Sequence, residues 1–223
     1  MKTGISRALI AACAAVAALG GTAHASNNPA MDAQVMRINN EWARIKYQVK
    51  DKGDQYRQLD QLATQAAAVV AKYPGRAEPL LWQGIVTSEE AAQASVFRQL
   101  GLATSARDIL QKAAAIDARA ANGGVAMSLG VLYYKVPGFP IGFGSGSKAQ
   151  SYLKAALAQD PNGLDANFFY ADYLASKGDN NGARSYLTRA LAAPHDDSRP
   201  VWDAGRRIEA RALLAKVSRQ ASR

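Results

Sequence analysis

The sequence predicts an all-α chain, a solenoid of stacked helical hairpins, and three observations carry that prediction. A pattern of small and large apolar residues returns at a fixed period: Ala149, Leu153 and Ala156 match Ala183, Leu187 and Ala190, each pair 34 residues apart. A period of this size marks a repeat whose unit is one supersecondary element stacked on its neighbours. Glycines stand at the packing position of two helices ahead of these, Gly84 and Gly130, and the approach of two helices depends on the side chains at their contact. Turn residues then separate the periodic segments, as in Lys177-Gly178-Asp179-Asn180-Asn181, where Gly178 can take positive φ and end a helix.

The elements follow in chain order. Lys2 and Arg7, an apolar run over Ala8–Ala18 and Ala23-His24-Ala25 before Ser26 have the form of a signal peptide, residues 1–25, with cleavage after Ala25. The run is too short to span a bilayer. Ile10-Ala11-Ala12-Cys13 looks like a lipoprotein box, but almost no apolar residues precede it. Residues 26–223 form one helical domain. Helices are expected over Asp32–Lys50 and Gln55–Lys72. Repeats follow at about 77–122, 123–161 and 162–194, their first helices beginning in Leu80–Glu89, Ala126–Lys135 and the segment from Leu164. Ala106, Leu110 and Ala113 carry the pattern in the first repeat. A capping helix is expected over 198–219, with Ser198 as N-cap and Pro200 near its start. Its apolar stripe would be Ile208, Ala212 and Ala215, leaving Arg206, Arg207 and Arg211 in solvent.

With its 34-residue period, its small–large–small second helices and Asp160-Pro161 between units, the stretch from Ala77 to Pro194 resembles the tetratricopeptide-repeat (TPR) family of exported bacterial type. The spacings from Gly84 to Ala106 and from Gly130 to Ala149 are longer than the family's, which predicts long helices in the first repeat and a long loop in the second. The order of a long hairpin, a Gly/Pro loop and a well-formed last repeat is also similar to the periplasmic T-components of TRAP transporters. That resemblance implies association with a solute-binding protein and a small apolar ligand.

Composition bounds the chemistry. Removing residues 1–25 takes away Lys2, Arg7, Cys13 and His24, which leaves 25 basic against 18 acidic residues, no cysteine and one histidine, His195. No disulfide framework can then form, and stability must come from a packed core. The basic residues are scattered, not set beside aromatics in a strip, so no nucleic-acid surface is read from them. Those between Arg199 and Arg223 read as a solvated helix face in preference to a membrane-surface or acidic-partner contact.

No catalytic, metal or cofactor site is assigned. His195-Asp196-Asp197 lacks the three or four donors a metal needs. Asp165 and Asp172 share a helix face, an arrangement far commoner for solvated carboxylates than for a paired acid and base. The glycine-rich loop around Gly142, Gly144 and Gly146 lacks both GxxxxGK[ST] and GxGxxG. It reads as a connector whose Ser147 caps the next helix, with Phe139 and Phe143 as loop contacts for a partner.

In the TPR family first helices line the concave surface. Register then places Leu81, Ile85, Met127, Val131, Tyr134, Lys135, Phe168 and Asp172 there, with Tyr134 central. Two readings stay open: an exposed apolar groove that binds a partner, or a groove filled by the N-terminal helices or the long loop. The expected function is that of a periplasmic or secreted binding protein taking a protein or peptide partner; the alternative is a small hydrophobic ligand held for a transport system.

Overall fold

The computed structural model describes residues 28–221; the signal peptide and its cleavage site lie outside the described residues. Among those, nine helices form: α1 (Pro29–Gln48), α2 (Lys52–Lys72), α3 (Ala77–Gln93), α4 (Val96–Ile116), α5 (Ala120–Lys135), α6 (Gly146–Gln159), α7 (Leu164–Ser176), α8 (Asn180–Ala192) and α9 (Pro200–Ala221). Their starts follow capping chemistry. Asn28 accepts the Met31 N–H at 3.0 Å ahead of Pro29, and Asp51 accepts that of Asp54 at 2.8 Å. Asp179 does the same for Gly182 at 2.8 Å. Each side chain satisfies a donor the helix leaves orphaned.

Consecutive helices pair as α1–α2, α3–α4, α5–α6 and α7–α8, with α9 packed on α8. The repeat pattern is what makes the pairs fit. Ala106, Leu110 and Ala113, Ala149, Leu153 and Ala156, and Ala183, Leu187 and Ala190 are all essentially inaccessible. A Cβ on Gly84 would lie 2.6 Å from Leu110 Cγ, and one on Gly130 2.7 Å from Leu153 Cγ. The missing side chains are therefore the sockets for the two leucines. Gly178 turns the chain after α7 with φ +83°.

Three expectations are corrected. The loop serine that caps α6 is Ser145, which accepts the Lys148 N–H at 3.4 Å, and not Ser147. Ser198 does not cap α9; its hydroxyl donates to Asp196 and Arg199 stands before the first helical residue. The register of α9 is rotated from that expected. Ile208 is 65% exposed, Ala212 and Ala215 face solvent, and the buried positions are Trp202, Asp203, Gly205, Arg206, Arg207, Ala210 and Val217. Arg211 is exposed, as expected. Both buried arginines have partners that hydropathy could not show. Arg207 donates to Asp203 at 2.9 Å and to the carbonyls of Leu191, Ala193 and Pro194 at 2.8–3.0 Å. It thereby closes the carbonyl end of α8.

The stack is closed as well as curved. Contacts run from α1 to α3, α3 to α5, α5 to α7, α7 to α9 and back from α9 to α1. One core cluster holds residues from both ends of the chain, among them Trp42, Leu59, Phe168, Leu187 and Trp202. Gly205 permits the closing contact: a Cβ there would lie 2.5 Å from Tyr47 Cδ1, inside the aromatic ring's contact distance.

Candidate binding cavity

The odd-numbered helices face inward, so their ring lines a half-open cavity of about 560 Å³. Small-molecule and peptide sites commonly fall in this size range. Its apolar wall comes from Leu81, Trp82 and Ile85 on α3, Met127 and Val131 on α5, and Phe168 and Phe169 on α7. Trp42 of α1 and Trp202 of α9 complete it. Trp42 and Trp82 meet edge to face, ring centroids 5.8 Å apart. Where α5 begins, Ala121, Asn122 and Gly123 adopt left-handed backbone, with φ of 51°, 50° and 88°, and border the same space.

Charged groups ring this wall in pairs. Lys46 donates to both oxygens of Glu89 at 2.9 and 3.0 Å. Lys135 meets Asp172 at 2.7 Å. Arg206 donates through Nε to Asp165 at 2.6 Å and through Nη1 to Glu209, while its guanidinium lies over Phe168 and Phe169 at 4.7 and 4.5 Å. Burial disfavours the Arg206 charge, but Asp165, Tyr47 and Glu209 around it outweigh that and hold it above the usual arginine range. Trp202 Nε1 donates to the same Asp165 at 3.2 Å. Burial, reinforced by Asp165, raises the Asp160 carboxyl at the cavity edge.

Of the residues expected in the groove, Leu81, Ile85, Met127, Val131, Lys135, Phe168 and Asp172 border this one cavity. Leu81 and Phe168 are at the same time core, 1% and 7% exposed. Tyr134, expected at the centre, stands behind the wall. Its hydroxyl donates to Asp172 at 2.7 Å and its ring packs edge-on against Tyr173. Burial, then Asp172, pushes its phenol well above the usual tyrosine range. Tyr134 therefore positions a wall residue without being one. The loop phenylalanines border no part of the cavity. Phe143 packs against Tyr133 at 5.6 Å and under Arg107 at 4.6 Å, whereas Phe139 is 93% exposed.

Sequence reasoning missed the three tryptophans, Lys46, Arg206 and Glu209. Trp82 was within reach of a reading of α3. The others belong to helices outside the periodic region, and no repeat register assigns them a face.

A ring of helical hairpins around a concave interior defines a helical-repeat solenoid. Residues 141–208 match the model of the tetratricopeptide repeat. The solved structure of TTC0263, a thermophilic TPR protein from Thermus thermophilus, superposes with a TM-score of 0.56 at 18% identity, covering 83% of this chain and 91% of that one. MamA gives 0.43 at 18% identity, over 78% of this chain and 96% of that one. PilF of Pseudomonas aeruginosa gives 0.34 at 15%, over 85% and 89%. No curated protein matches the chain significantly. The chain is an all-α helical solenoid whose fold is like that of TTC0263, and its C-terminal part, residues 141–208, is similar to the tetratricopeptide repeat. The TPR fold generally mediates protein–protein interaction, and its members are typically scaffolds without catalytic activity.

Proposed function

We propose that this chain is an exported, non-catalytic binding protein, periplasmic or secreted, that holds a short segment of a protein partner in the central cavity. The observation that carries this reading is the concave wall of tryptophan, phenylalanine and aliphatic side chains, rimmed by ion pairs. An apolar wall suits one or two bulky side chains of a peptide, and paired charges at the rim suit its polar backbone. The leader read in residues 1–25 supports export.

A displayed random-peptide library panned on the purified chain tests this. Enriched clones should share bulky apolar residues, and their binding should fall by ~2 kcal/mol or more in Trp82→Ala, the scale of an interface hot spot. Enrichment that persists unchanged in Trp82→Ala would remove the cavity from the reading. The second reading, a small apolar molecule bound for a transport system, is favoured by the cavity's volume, which suits a small ligand. Native mass spectrometry of the chain purified from periplasm would support it by showing a retained small molecule and no peptide.

A further inference from the structure

A second surface stands apart from the cavity. The α3–α4 turn and the loop from Val136 to Ser145 lie together on one edge of the stack, where a Cβ on Gly142 would come 3.2 Å from Leu100 Cδ1. Large apolar side chains project from both. Val96 is 72% exposed, Phe97 94%, Phe139 93% and Ile141 69%. Single exposed apolar residues are ordinary, but a cluster of this kind marks an interaction surface.

Within the two segments that form it the charges have one sign, although exposed Asp60 and the buried Glu90 stand close enough to Arg98 to interact with it. Residues 91–106 contain Arg98 and no carboxylate, and residues 136–149 contain Lys148 and no carboxylate. The edge continues on either side into more cations. Arg98 lies over the Tyr56 ring of α2 at 5.5 Å, next to the turn bearing the exposed Lys50 and Lys52. On the other side, a Cβ on Gly146 would be 3.3 Å from the Nζ of exposed Lys177. The carboxylates of those outer turns are engaged: Asp51 and Asp179 cap helices and Asp54 pairs with Arg57. α4 and α6 also begin at this edge, and neither has an acidic residue in its first turn. The positive ends of two helix dipoles thus add to the side-chain charge.

We propose that this edge docks on an anionic lipid bilayer, with Phe97 and Phe139 entering the interfacial layer and Arg98 and Lys148 lying against the head groups. Apolar side chains carried on a turn and a loop, with cations beside them, match a surface that offers hydrocarbon beneath negative charge. A second copy of the chain is a poorer occupant, because a two-fold contact would set the same cations against each other.

Co-sedimentation of the purified chain with vesicles of equal parts phosphatidylglycerol and phosphatidylethanolamine tests the proposal. The chain should sediment with these and not with phosphatidylcholine vesicles. The double substitution Phe97→Ser/Phe139→Ser should lower the partition coefficient about tenfold or more. Arg98→Gln/Lys148→Gln should lower it several-fold and weaken the dependence on salt. All four side chains are exposed, so circular dichroism should be unchanged. Absence of sedimentation, equal binding to phosphatidylcholine, or undiminished binding of the phenylalanine variant would each overturn it. So would a dimer in size-exclusion chromatography that the phenylalanine variant disperses, since the patch would then be a self-interface.

Discussion

At the scale of single residues, the buried ionisable groups separate into those whose folded site favours the charge and those whose site opposes it. Asp203 belongs to the first kind. Burial opposes its charge, but hydrogen bonds from Arg207 and His195 hold its carboxyl below the usual range. Arg207 is the hub of that arrangement, tying Asp203 to three carbonyls at the end of α8. Arg207→Ala should therefore cost about 3–5 kcal/mol, since it strands a buried carboxylate and uncaps a helix end. Arg211→Ala, one turn on and exposed, should stay within about 0.5 kcal/mol; urea denaturation of the two variants separates them. Glu90 is of the second kind. It is 3% exposed, and burial, then the Asp60 charge, raise its carboxyl despite Arg98. A carboxyl raised in the folded state binds more protons there than in the unfolded chain, so its contribution to stability is present below the unfolded value and is lost as pH rises through the folded one. Glu90→Gln should accordingly raise the melting temperature at pH 7, and the gain should vanish near pH 4. A gain that persists undiminished at pH 4 would refute this.

At the scale of the element, a hairpin is set by one leucine and the small residues around it. Ala183, Leu187 and Ala190 lie on one face of α8 and are fully buried, while Arg184 between them is exposed. Enlarging a residue in such a contact typically costs ~1–3 kcal/mol. Ala183→Leu should lower stability by that amount and Arg184→Leu hardly at all, as thermal denaturation would show. Much of this was legible in the sequence, because the 34-residue period repeats a local geometry and each unit solves the same packing problem. The register of α9 was not legible. Its apolar residues gave one stripe, but the helix buries Arg206 and Arg207 because acidic and carbonyl partners await them on α7, α8 and the turn after α8. A pattern read on hydropathy assigns arginine to solvent and cannot see a partner 41 residues away, as Asp165 is from Arg206.

At the scale of the whole molecule, the contact between α1 and α9 converts an open stack into a ring. Nearest-neighbour stacks unfold from their ends, whereas a closed ring ties both ends into one core. All three tryptophans border the cavity at or near this closure, so their fluorescence reports on it directly. Unfolding followed by tryptophan fluorescence and by far-ultraviolet circular dichroism should coincide in the native sequence. Gly205→Ala, which drives a Cβ into Tyr47, should split them, with fluorescence changing at the lower denaturant concentration. Coincident transitions in that variant would mean the closure does not couple the ends.

The sequence by itself determined the class of this protein, the spans of its hairpins and which small residues admit which leucines, because those follow from contacts between residues close in the chain and from a period that restates them. It also named seven residues that share one interior face. Only the tertiary structure decided that this face is a half-open cavity lined by both ends of the chain. Tyr134 moved behind Asp172, and Trp42, Lys46, Trp202 and Arg206 joined the wall, through contacts between the two ends of the chain, some 160 residues apart (Tyr47 to Glu209 is 162). Closure depends on the summed curvature of every hairpin between those ends, and no local pattern records that sum.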